Sequence, residues 1–156
     1  MMNFSARAVS LGTAMVVQMG LLVPLAHADD KDVIDYRQHI MNSMDADTQA
    51  VGQIVSGANP AKHLAGHLES IALSASVALK SFEAKVEGGK SKPEVWTKWD
   101  DFSKRMKEFA DKTAKLANVA KAHSKDEQVN GEVMTELATA LSCKQCHDAY
   151  RDDTKK

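Results

Sequence analysis

The chain has 156 residues, with 20 basic and 21 acidic side chains, a formal charge of −1 and 5% aromatic content. Such a length holds one domain, and so even a charge balance excludes the basic surface of a nucleic-acid binder. Its two cysteines are too few for a four-cysteine zinc site.

The first stretch reads as a targeting segment. Arg7 precedes a mostly apolar run from Ala8 to Leu25, followed by Ala26-His27-Ala28 and then Asp29-Asp30. A positive start, an apolar middle and a small-x-small site describe a cleaved export signal. The run approaches the length of a membrane span, but the cleavage site and the abrupt switch to charge favour removal over anchoring. Residues 1–28 are therefore expected to be a signal peptide. Residues 29–156 form the mature domain, with no stable membrane insertion and the periplasm as its compartment. Loss of Arg7 leaves 19 basic against 21 acidic residues, a charge of −2.

Four apolar stripes of helical period follow. The first, over about 32–53, carries Val33, Ile34, Arg37, Ile40, Met41, Met44, Thr48 and Val51. Asn59 and Pro60 then suit an N-cap and a first helical residue. The second helix, over about 60–87, carries Leu64, Leu68, Ile71, Ala75, Leu79, Phe82 and Val86, and Gly88-Gly89 should end it. Ser91 with Glu94 reads as a capping box for a third helix over about 93–123, with Trp96, Trp99, Phe102, Met106, Phe109, Thr113, Leu116 and Ala120. A second box, Ser124 with Glu127, should open a fourth helix over about 125–152, with Val129, Val133, Leu137 and Leu141. Long helices joined by short loops predict an all-α, antiparallel up-down-up-down four-helix bundle.

The fourth helix ends in Cys143-Lys144-Gln145-Cys146-His147. This is the attachment pattern of a c-type haem. Each thiol adds to one vinyl group, and the next residue offers an imidazole to the iron. On a helix, positions 143, 146 and 147 share one face. A thioredoxin-like redox pair would need a βαβ setting, which is missing from the pattern. A lone disulfide closing so small a loop would stabilise little. One covalent haem c, held by Cys143, Cys146 and His147, is the expectation. Attachment also agrees with export and consumes both thiols.

The other axial position is less determined. The first and fourth helices run antiparallel in such a bundle, so Met41 falls in the same half as His147. From position alone Met41 is either a sixth ligand or a core methionine, and Met44 lies one turn deeper. His39 should point outward. His63 and His67, four apart, read as a surface metal pair or as solvated residues, and His123 as a charge favouring a helix C-terminus.

Taken together, the mature chain resembles the cytochrome c′ family, the class II c-type cytochromes. Tyr36-Arg37-Gln38 is similar to its N-terminal signature, and Lys92-Pro93-Glu94-Val95-Trp96 to the opening of its third helix. Cys143 to Arg151 closely resembles its haem segment. The resemblance implies thioethers at Cys143 and Cys146, a proximal bond from His147, Arg37 near a haem propionate and Arg151 beside the proximal histidine. In high-spin members the residue five after the tyrosine is a non-ligating group. Here it is Met41, as in the low-spin branch, which uses that methionine as sixth ligand. A histidine and a thioether on iron raise its reduction potential. The expected function is thus a periplasmic electron carrier with His147 and Met41 on iron, serving redox partner proteins, with no enzymatic activity. The resemblance also admits a homodimer through the first two helices. The alternative is a five-coordinate protein that binds or scavenges nitric oxide or carbon monoxide. A peroxidase would need a distal acid or base, which this face of the first helix does not offer.

Overall fold

A computed structural model describes residues 29–155, so the expected signal peptide lies outside the described residues. The first helix, α1 (Asp30–Val55), is capped by Asp29, whose carboxylate accepts from the Asp32 backbone N–H at 2.8 Å. Acidic side chains at 30 and 32 also suit the positive end of the helix dipole. The helix buries Arg37, Ile40, Val51 and Ile54.

The second helix differs from expectation at both ends. Pro60 is extended rather than helical, a 3₁₀ turn covers Ala61–His63, and α2 runs Leu64–Ser81. It stops well short of Gly88-Gly89 because Arg37 intervenes. The Arg37 guanidinium reaches across from α1 and donates from Nε to the Ser81 carbonyl (3.0 Å), from Nη2 to Ala84 (2.9 Å) and from Nη1 to Val86 (2.5 Å). Carbonyls held this way replace further helical bonds and satisfy the helix end. The two glycines serve the following loop instead. Gly88 and Gly89 have φ of +139° and +56°, and a Cβ at either would fall 2.6 or 2.8 Å from the Ile34 side chain.

The third expected helix is split into α3 (Glu94–Thr97) and α4 (Trp99–Ala122) by Lys98, at φ −123° and ψ 42°. Neither capping box forms as a cap. Ser91 pairs with Arg151 in an antiparallel bridge, and the segment after His123 stays irregular until Asn130. There the Asn130 side chain accepts from the Val133 N–H at 3.0 Å and starts α5 (Gly131–Ala140). Leu141 and Ser142 interrupt what was expected to be one fourth helix, and α6 covers Cys143–Tyr150.

The bundle is all-α and its core falls in two clusters. One is aliphatic and gathers Val51, Ile54, Leu64, Leu68, Ile71, Leu116, Val133 and Leu137. The other gathers Ile40, Phe82, Val95, Phe102, Met106 and Tyr150, with Met41, Met44, Trp96, Trp99 and Cys146 half-buried against it. The α2 helix packs broadly on α4 and α1, and α4 on α5, whereas α1 and α5 barely touch. No helix among the described residues is long and apolar enough to cross a membrane.

Candidate haem site

The break at Ser142 makes α6 a short helix of its own, and its first turn is the Cys-x-x-Cys-His motif. Cys143, Cys146 and His147 are all half-buried, while Lys144 and Gln145 between them are exposed. This is the division that helical spacing dictates. Lys144 ties back to Asp148, one turn on, at 2.7 and 2.8 Å. Burial pushes both thiols up from their ordinary value, so both sulfurs are protonated at neutral pH. Burial, and then the charge of Arg151, push the His147 imidazole down. That keeps it neutral, the form that binds a metal. Arg151 stands where the sequence implied, its Nη1 3.4 Å from His147 Nδ1.

Tyr150 anchors this helix. It is 5% exposed, its ring meets Phe102 edge to face at 5.2 Å, and its hydroxyl donates to Asp101 of α4. Arg105 holds the same carboxylate oxygen at 2.6 Å. Arg105 first and Tyr150 second keep the Asp101 carboxyl below its usual range. The sequence reading missed this anchor. Its only sequence signal is a tyrosine three after the histidine, on the inner face of α6.

Met41, Met44 and Cys146 all lie against the aromatic cluster, so the structure brings the expected distal residue and the attachment helix onto one patch of core. Arg37 packs on the same cluster. It is 3% exposed, and all three of its nitrogens are held by backbone carbonyls. The guanidinium also stacks over Phe82 (4.5 Å) and Trp96 (5.3 Å). These donors close α2. Of the remaining histidines, His39 and His63 are exposed. His67 Nδ1 instead meets Asp47 of α1 at 2.9 Å, and Ser70 donates to the same carboxylate at 2.5 Å. His123 Nδ1 faces Asp126 at 3.1 Å.

The residues present fit a haem. The inner stripe of α1 is only half covered by protein at Met41, Met44, Thr48 and Val55. Along its deeper part, α1 and α5 are parted by a groove of about 360 Å³ between Thr48, Gly52 and Val55 on one wall and Met134, Leu137 and Leu141 on the other. A flat apolar ring would cover surface of this kind, and Leu141 on the groove wall is two residues before Cys143.

Comparison with known proteins agrees. A family model described as Cytochrome C′ matches residues 32–151. The chain is similar to the cytochrome c′ of Alcaligenes xylosoxydans xylosoxydans, at 29% identity over 128 residues, covering 80% of this chain and 96% of the relative. Among solved structures it is similar to a nitric oxide complex of a variant cytochrome c prime from Alcaligenes xylosoxidans. That match has TM-score 0.67 and 26% identity, and covers 82% of this chain and 100% of the other. A nitrite complex of another variant of the ferric protein matches with TM-score 0.70 and 27% identity over the same shares.

Proposed function

The chain belongs to the cytochrome c′ family, and from that premise we propose that it is an exported electron carrier whose iron is held by His147 and Met41. As a c-type cytochrome it takes one covalent haem c, which supplies an iron that changes oxidation state by one electron. In this reading Cys143 and Cys146 supply the thioether sulfurs and His147 the proximal nitrogen. The observation that carries Met41 is its place, half-buried against the same aromatic cluster as Cys146. Tyr150 and Asp101 fix the attachment helix, and Phe102, Met106 and Trp99 belong to the apolar cluster that Cys146 packs against. A thioether favours the ferrous state and so raises the potential.

The apolar leader over 1–28 supports export to the periplasm, where redox proteins would be the partners. Tyr36 on α1 and Leu73 on α2, 51% and 67% exposed, support a homodimer through these two helices. No enzymatic turnover is assigned.

A second reading has its own support. Structural relatives include nitric oxide complexes, and a half-exposed Met41 leaves a distal face that a small gas could enter. Optical and EPR spectra of the oxidised protein separate the two readings, with Met41→Ala beside wild type. A low-spin ferric spectrum with the weak far-red sulfur-to-iron band, lost in the variant, supports the carrier. A high-spin wild-type spectrum unchanged by the substitution returns Met41 to the core and makes nitric oxide binding the leading function.

A further inference from the structure

The α6 helix has eight residues, too few to hold a helical shape unaided. Its two ends are secured very differently. At the start, Ser142 makes no side-chain cap, Leu141 and Ser142 part α6 from the end of α5, and the one local backbone bond runs from the Cys143 N–H to the Leu141 carbonyl at 2.9 Å. At the finish, orphaned carbonyls of the last turn meet a single residue of the loop before α3. The Lys92 backbone N–H donates to the Tyr150 carbonyl at 3.0 Å, and the Lys92 ammonium donates to the Asp148 carbonyl at 2.9 Å. The Asp152 N–H returns to the Lys90 carbonyl at 2.8 Å, and Ser91 pairs with Arg151 between them. The carbonyl of His147 itself is closed by the Arg151 N–H at 2.9 Å.

We propose that Lys92 is a positioning residue for His147: it pins the C-terminal end of α6 and places its positive charge one peptide from the proximal ligand. This rests on the assignment of His147 to iron made above. The charge also lies at the negative end of the α6 dipole, where a cation is favourable. A helix hinged at Ser142 and pinned at Lys92 sets the tilt of the imidazole through one loop residue. Cys143 and Cys146 then fix the remaining freedom when they are joined to the haem. A cation so close to the ligand also opposes the added positive charge of ferric iron, so it raises the potential.

The test uses the holoprotein with Lys92→Met, which keeps the stem and the backbone N–H but loses the ammonium, and Lys92→Arg, which keeps a donor and the charge. A pyridine haemochrome spectrum of wild type first shows whether haem is attached through two thioethers. A negative result there removes the assignment of the site and with it this proposal. With haem attached, Lys92→Met is expected to shift the ferric EPR g-values, which report the orientation of the imidazole, and to lower the midpoint potential. Lys92→Arg should restore both. Wild-type g-values and a wild-type potential in Lys92→Met overturn the proposal. Should that variant fail to fold, hydrogen exchange in the wild-type holoprotein decides. Lys92 and Asp152 amides protected like those of α4 support the pin, and exchange at open-loop rates overturns it.

Discussion

The two halves of the bundle are built on different terms. One half is aliphatic, with a fully covered centre: Leu68 and Ile71 have no exposed surface, and α1, α2, α4 and α5 all contribute. The half around α6 is rich in aromatics and sulfur, and several of its members, Met41, Met44 and Cys146 among them, are only half-covered. The first is closed at Leu68 and Ile71 but open along its α1–α5 edge, where Val51, Val55, Leu137 and Leu141 line the groove. The second is half-covered at Met41, Met44 and Cys146, the last of them within the Cys-x-x-Cys-His motif. The two openings share one stripe of α1, from Met41 to Val55.

Leu68→Ala tests the aliphatic half most severely. The side chain is fully buried among branched neighbours that cannot collapse onto it, so the loss should be about 2–5 kcal/mol in chemical denaturation. The same loss should appear with and without haem, since Leu68 does not line the α1–α5 groove. A loss that depends strongly on haem would mean that the halves are one cooperative core.

Arg37→Met probes the other half at its most buried charge. It removes three hydrogen bonds to backbone carbonyls and the contacts with Phe82 and Trp96. A cost of about 2–3 kcal/mol is expected. Freed of the guanidinium, residues 82–87 should also gain helical NMR shifts and extend α2 towards Gly88. Unchanged shifts would mean that the sequence of the loop, and not Arg37, ends the helix.

Arg37 also marks the limit of what the sequence reveals. The apolar stripes were legible because burial follows helical period. Leu64, Leu68, Ile71, Phe102, Met106, Leu116, Val133 and Leu137 are all in the core. The haem motif was legible because its chemistry is confined to five neighbouring residues. The helix ends were not, because what sets them is remote. Arg37 closes α2 from at least 44 residues away, and the bond from the Lys92 ammonium to the Asp148 carbonyl spans 56. A capping box is a local pattern, and at Ser91 a tertiary pairing with Arg151 took its place. The anchoring role of the tyrosine three after the histidine was not legible for the same reason: its partner Asp101 is 49 positions upstream.

That tyrosine gives the mildest test of the half-open end, through pH. Burial first, and donation to the Asp101 carboxylate second, raise the Tyr150 phenol from its ordinary value of 10.0 to about 12. The folded state therefore holds this proton more tightly than the unfolded chain does. Its contribution to stability is fully present below pH 10 and fades as pH rises from there to about 12. Ultraviolet difference absorbance should place one phenol near pH 12, and denaturation midpoints should fall across the same window. Tyr150→Phe keeps the ring against Phe102 and loses the hydroxyl, so it should cost about 1 kcal/mol at neutral pH and flatten the alkaline fall. A variant that loses stability over that window as steeply as wild type would assign the fall to other groups. The Tyr150–Asp101 link would then position α6 without protecting it, and the half-open end would owe its alkaline tolerance to packing and haem alone.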